Sequence, residues 1–339
     1  MSAGRHYRRG LVVGKFCPLH RGHMLVIDAA LDACEEVVVI SYTNPEFDGC
    51  GPALRERWIR QMYPQVRALV LDGSAMDLPA NDAPNDVHRD FVGWLCDTVL
   101  KTHVDAVFTS EDYGDGFAAA LTAWFAARGR ASVDPVAHVC VDKARGIVPV
   151  SGTAIRSDPF AHRAFLDPRV YASVVKRVAI LGGESSGKTT LAQQLADAIA
   201  SVWAPEYGRE RWVEKAGDLA FDDMRHIATT QVAREEQLLQ EARRWLVCDT
   251  TPLTTLCYSL EMFGAADPVL EQLAERKYDL VLVCAPDFAF VQDGTRRDEA
   301  FRARQHKWYL DTLEKSQIAY TVVAGPPHER LSRATSLLT

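Results

Sequence analysis

The chain has no run of apolar residues near the about 18 needed to cross a membrane as a helix, which excludes an integral helical membrane protein. It has no run rich in Lys and Arg, and its formal net charge is −7, so a nucleic-acid surface is not expected. Its eight cysteines are scattered without a CxxC pair. That spacing argues against a structural zinc site and against a disulfide framework, and points to buried, reduced thiols in a cytoplasmic protein. No repeat, low-complexity stretch, signal-peptide pattern or Pro/Ser-rich linker is visible.

What is present is ordinary globular material, with 47% hydrophobic residues over 339 positions, enough for two domains. Short Val/Ile/Leu-rich runs at 11–16, 37–42, 66–71, 105–110 and 137–142 read as strands, separated by helical patterns near 22–34, 53–62, 86–101 and 116–128. This alternation predicts α/β architecture with parallel strands and crossover helices. A helix over 167–176 closes the first series. A second begins with strands at 177–183, 245–249, 278–284 and 319–324 and helical patterns at 187–201, 224–244 and 298–316. The predicted domains are 1–172 and 173–339.

The second series opens on Gly182-Gly183-Glu184-Ser185-Ser186-Gly187-Lys188-Thr189-Thr190, a match to G-x-x-x-x-G-K-[ST] between strand and helix. Glycines let backbone N–H groups aim at phosphates, and the helix adds its positive end. Lys188 suits the β/γ-phosphates of ATP, and Thr189 suits Mg²⁺. Asp249, at the end of the strand in "RRWLVCDTT", is a second candidate metal partner. Arg296, Arg297, Arg302 and Arg304 in "DGTRRDEAFRAR" are candidates for a segment that closes over ATP, with Arg296 and Arg297 the chosen ATP contacts.

The first series carries "GKFCPLHRGH", residues 14–23, with His20 and His23 between a strand and a helix. No further His, Cys or carboxylate cluster stands near enough to make a zinc site of the pair. About 130 residues later "VSGTAIRSD" places Ser151, Thr153 and Arg156 at a helix start. Hydroxyls, N–H groups and a guanidinium there suit a polyphosphate.

The first stretch, with Gly14, Phe16, His20 and His23, resembles the (H/T)xGH signature of the nucleotidyltransferase superfamily, and "SGTAIR" resembles its second signature. That resemblance implies a Rossmann-like domain and in-line transfer of a nucleotidyl group from ATP, the histidines stabilising developing charge. Fused to a P-loop kinase, the whole chain resembles the NadR family, in which a nicotinamide-nucleotide adenylyltransferase is joined to a ribosylnicotinamide kinase. "TSEDYG" (109–114), "PEYGRE" (205–210), "CDTTPLTT" (248–255) and "VQDGTRR" (291–297) add to it. It implies phosphorylation of nicotinamide riboside to the mononucleotide (NMN), then adenylylation of NMN to NAD and pyrophosphate, with Mg²⁺ as cofactor. Glu206, Arg209 and Asp249 are then candidate riboside contacts, with Tyr207 or Trp203 as candidate stacking partner for the pyridinium ring. Glu206 and Asp249 compete for the role of kinase base. The family's helix-turn-helix module is expected to be absent, since the first strand begins about ten residues in. The D-T-T at Asp249, where some members have D-T-D, leaves the second carboxylate open. The expected partners are small molecules (ATP, nicotinamide riboside, NMN and NAD), with no nucleic acid and no membrane; a homo-oligomer is compatible. The competing readings are a similar fusion with another substrate, or an NAD- or ATP-sensing regulator with one inactive domain.

Overall fold

The computed structural model describes residues 6–129, 134–294 and 296–338. Its contacts divide into two compact units, Met1–Val170 and Tyr171–Thr339. Each contains a five-stranded sheet whose neighbouring strands pair in parallel.

In the first unit the strands are β1 (Tyr7–Gly14), β2 (Cys34–Ser41), β3 (Arg67–Val70), β4 (Ala106–Thr109) and β5 (Ala137–Cys140), in spatial order β3-β2-β1-β4-β5. The crossovers contain α1 (Arg21–Ala33), α2 (Pro52–Met62), α3 (Asn85–Trp94), which runs on into a π-turn over Leu95–Val99, and α4 (Gly114–Ala127); the short α5 (Gly152–Ser157) follows β5. The chain moves from β1 outward to β3, then returns to the other side of β1. That reversal opens a crevice at the carboxyl ends of β1 and β4, where open parallel sheets take ligands. The core lies between strands and helices, with Leu11, Ile40, Val107, Leu95 and Leu121 buried. The helix read at 167–176 is only α6 (Pro168–Ala172).

In the second unit β6 (Lys176–Gly182), β7 (Trp203–Ala204), β8 (Trp245–Asp249), β9 (Leu280–Cys284) and β10 (Thr321–Val323) lie in the order β10-β9-β6-β8-β7. The central β6 feeds the glycine loop. The helices are α7 (Lys188–Ala198), α8 (Tyr207–Glu214), α9 (Phe221–Leu238), α10 (Pro252–Phe263), α11 (Pro268–Ala274), α12 (Glu299–Lys315) and α13 (Pro327–Ser336). Helices α8, α10, α11 and α13 form where no helical period was evident. For α10 the reason is packing: Leu253, Thr254, Thr255, Cys257 and Ser259 are all buried, so no clean apolar stripe marks it. Its boundaries are nonetheless conventional, with the Thr251 hydroxyl accepting from Leu253 N, Pro252 in the first turn and Gly264 at φ +69° beyond the end. Among the described residues no helix is long and apolar enough to cross a membrane.

Candidate active sites

The first site grows from the turn that joins β1 to α1. Phe16 takes φ +50° and the Cys17–Pro18 peptide is cis. His20 caps α1, its Nδ1 accepting from Gly22 N at 3.1 Å, while His20 N donates to His23 Nδ1 at 3.4 Å. The two histidines thus serve the reciprocal capping pattern usually made by Ser/Thr and Glu. Their rings stack with centroids 3.8 Å apart. A Cβ on Gly22 would meet His20 Cε1 at 2.9 Å, so the position just before His23 has no room for a side chain. With Nδ1 accepting, the neutral His20 carries its proton on Nε2, which lies beside Gly152 at the start of α5. Burial, then Arg145 and Arg156, pushes the His20 pKa down to about 4, and burial, then His20, holds His23 well below the usual imidazole range. Both are neutral at pH 7.

Helix α5 arrives from the far end of the unit. The Ser151 hydroxyl caps it by accepting from Ala154 N at 3.1 Å. Arg156 locks it to the first turn, donating to Cys17 O at 2.8 Å and to Thr153 Oγ1 at 3.0 Å, with its guanidinium 4.3 Å from the Phe47 ring centre. Gly14, Phe16, His20, His23, Ser151, Thr153 and Arg156 therefore all line one cavity of about 490 Å³. The sequence reading missed Lys15, Arg89, Arg145 and Thr109 in the same wall. Four cations, Lys15, Arg89, Arg145 and Arg156, outnumber the carboxylates Glu111 and Asp142, which suits an anionic ligand. Burial, then Arg156, lowers the Lys15 pKa.

The "TSEDYG" stretch has a local reason. Thr109 Oγ1 lies 2.8 Å from His138 Nε2, and His138 Nδ1 lies 2.7 Å from Asp115. A Cβ on Gly114 would fall 2.0 Å from His138 Nε2, so only glycine admits this hydrogen-bonded chain, which fixes the loop at the cavity rim.

In the second unit Gly182 and Gly187 take φ +141° and +81°, and a Cβ on Gly183 would meet Arg302 O at 2.7 Å. Lys188 Nζ donates to Gly183 O at 3.0 Å. The Thr189 hydroxyl donates to Asp249 Oδ2 at 2.7 Å, and Asp249 Oδ1 is buried with no hydrogen-bond partner among the described residues. Thr190 is exposed on the first turn of α7. Ser186 and Gly187 are braced by Arg330, which donates to Ser186 O at 2.8 Å. Beside the loop lies a cavity of about 300 Å³, lined by Glu184, Ser185, Lys188, Glu206, Arg209, Trp212, Tyr258, Arg296 and Arg297 among others. Burial, then Asp249, raises the Glu206 pKa, and burial raises that of Asp249.

Glu184 spans this site. Its carboxylate accepts from Tyr258 OH at 2.8 Å and from Arg297 N at 2.7 Å, while its own N donates to Gln305. Several expected contacts fall elsewhere. Tyr207 does not line the cavity: its N donates to Gln231 and its hydroxyl pairs with His226. Trp203 packs against the core beneath the sheet. The cavity's aromatic walls are Trp212 and Tyr258, which are placed there by helices that the apolar pattern did not reveal. Arg209 lines the cavity and pairs with Asp293 at 3.2 Å. The four arginines separate. Arg296 reaches Ser185 Oγ at 3.4 Å, but Arg302 is buried and donates to Phe288 O at 2.8 Å, and Arg304 pairs outside with Glu261. Thr295, within this segment, lies outside the described residues. Thr251, the second threonine of D-T-T, caps α10.

A sequence model of AAA domains matches residues 177–330. The trifunctional NAD biosynthesis/regulator protein NadR of Escherichia coli (strain K12) is 26% identical over 351 residues, covering 97% of this chain and 82% of its own. The chain is homologous to NadR. NadR of Salmonella typhimurium (strain LT2) is also 26% identical, over 85% of this chain and 71% of its own. In fold the chain is similar to crystal structures of NadR protein in complex with NAD and AMP-PNP (TM-score 0.66, 20% identity) and in complex with NR (TM-score 0.68, 21% identity). Each match covers 97% of this chain and 94% of the NadR chain.

Proposed function

We propose that this protein is a bifunctional transferase of NAD biosynthesis: the second unit phosphorylates nicotinamide riboside with ATP, and the first joins the resulting NMN to AMP, releasing pyrophosphate. The observation that carries the reading is the presence of two separate cation-lined cavities in a NadR homologue, one walled by His20, His23 and Arg156, the other by Lys188 and Glu206.

In the first cavity NMN's phosphate attacks the α-phosphate of ATP. Neutral His20 offers its Nε2–H, while Arg156 and Lys15 supply positive charge. Such preorganised donors act on charge that develops in the transition state, and no covalent intermediate is needed. In the second, Lys188 meets the β/γ-phosphates and Glu206 accepts the proton of the riboside's 5′-hydroxyl. Glu206 suits this role better than Asp249 because it lines the cavity, whereas Asp249 lies behind Thr189. The Thr189 hydroxyl and the unpaired Oδ1 of Asp249 fit Mg²⁺, a hard cation that takes one or two protein oxygens and fills its remaining positions with phosphate and water. When bound, the ion neutralises charge on the ATP phosphates. Trp212 and Tyr258 offer faces to a cationic pyridinium ring.

The test is to incubate the protein with Mg²⁺-ATP and nicotinamide riboside and follow NMN and NAD by chromatography. Successive appearance of both supports the reading. Turnover of phosphopantetheine or another nucleoside in place of these substrates, or binding without turnover, overturns it.

A further inference from the structure

Two cysteines far apart in sequence meet in the wall of the first cavity. Cys17 belongs to the β1–α1 turn and lines the cavity; Cys50 comes from the loop before α2. Both are buried. Cys17 Sγ also lies 3.1 Å from Lys15 O and 3.8 Å from Cys50 O. On its other side stands Arg55, a fully buried guanidinium whose Nη1 is 3.7 Å from Cys17 Sγ and also donates to Thr43 and Glu46. A cation and a second thiol beside a sulfur are the surroundings that favour thiolate and hence reactivity.

The other cysteines differ. Burial pushes the Cys96 and Cys257 thiols up to about 12 and that of Cys284 to about 11. Cys17 is held below the ordinary thiol range, first by the neighbouring Cys50 side chain and then by Arg55, while Cys50 is raised, first by the neighbouring Cys17 side chain and then by burial. Attacking and resolving sulfurs are thus already distinguished.

We propose that Cys17 and Cys50 are a redox modification site, forming a reversible disulfide when a peroxide enters the first cavity, and that the disulfide shuts off that cavity's reaction. The Cys17 thiolate attacks one peroxide oxygen. The O–O bond breaks, hydroxide leaves, and Cys17 becomes a sulfenic acid. The Cys50 sulfur then attacks the Cys17 sulfur. An S–S bond forms, the S–O bond breaks, and the oxygen leaves as water with the Cys50 proton. Two electrons pass from the sulfur pair to the peroxide, and an external dithiol returns them. The consequence for the site follows from position. Cys17 lies between Phe16 and Pro18, and its carbonyl holds Arg156, so tying its sulfur to Cys50 draws on the turn that carries both His20 and the Arg156 anchor. ATP in the cavity covers the sulfur and slows the reaction.

The disulfide chemistry is independent of the proposed function; only the activity readout rests on it. The full chain is treated with hydrogen peroxide, free thiols are blocked, and peptides are mapped by mass spectrometry without reduction, alongside both activities. A linked Cys17–Cys50 peptide is expected, with loss of adenylyl transfer that dithiothreitol restores and with riboside phosphorylation unchanged. Cys50→Ser should yield no linked peptide and instead a Cys17 sulfenic acid trapped by dimedone. Oxidation of the exposed Cys140 without a Cys17–Cys50 link overturns the pair. A linked peptide with full adenylyl transfer overturns the shut-off, as does an equal, dithiothreitol-reversible loss in Cys50→Ser. Protein that shows no adenylyl transfer before oxidation refutes the proposed function instead. The linked peptide, and its suppression by ATP, then still decide the pair.

Discussion

Glu206→Gln separates the two carboxylates that compete for the kinase base. The substitution keeps shape and removes only the ability to take a proton. A positioned base contributes about 10²–10⁴ in rate, or about 3–5 kcal/mol in the barrier. The riboside kinase kcat should fall by that factor, with ATP binding and adenylyl transfer from supplied NMN unchanged, because Glu206 lies in the second unit's cavity. Folding should not suffer. The Glu206 pKa is raised by burial, so the charged form is disfavoured in the folded state. Its stabilising contribution is present below the unfolded glutamate pKa and is lost as pH rises through the folded value. Gln cannot ionise, so urea denaturation at pH 8 should show the variant equal to or more stable than the parent. Asp249→Asn should behave differently, raising the Mg²⁺ needed for half-maximal rate because Asp249 holds Thr189 rather than facing the cavity. Steady-state kinetics across Mg²⁺ concentrations decide. A Glu206→Gln enzyme with near-parental kcat, or Asp249→Asn losing kcat with no change in Mg²⁺ dependence, would refute the assignment.

Three further outcomes follow from the same geometry. Lys188→Ala should abolish riboside phosphorylation yet leave NAD synthesis from NMN intact; loss of both in a folded protein breaks the independence of the two sites. With the His20 pKa near 4, its imidazole stays neutral well below pH 6.5, so adenylyl transfer should show no His20-dependent titration between pH 5.5 and 7. His20→Ala should cost about 10²–10³ in rate across that range, and a parental inflection near 6.5 that vanishes in the variant would contradict the buried, neutral assignment. Arg296→Ala should lower kinase kcat with little effect on stability, whereas Arg302→Ala should destabilise by about 1.5–3 kcal/mol in urea denaturation because a buried, charge-assisted bond to Phe288 O is lost. The reverse pattern would restore Arg302 to the closing segment.

The sequence by itself determined the motifs whose chemistry is local. The P-loop is set by a strand, two glycines with positive φ and a helix start, and the histidine pair by an i, i+3 spacing that caps the helix it begins. Strand–helix alternation carried the α/β class because apolar periodicity is also a local property. What only the tertiary structure decided is which distant residues share a wall. Glu206 or Asp249, and Trp212 and Tyr258 rather than Tyr207 and Trp203, could not be chosen from spacing, since each depends on how helices dock on the sheet. The Thr109–His138–Asp115 chain and the Cys17–Cys50 pair were equally invisible. Their partners are brought together by the strand order β3-β2-β1-β4-β5 and the crossovers that realise it, and that order is fixed by long-range burial, which leaves no periodic mark on the residues that come to touch.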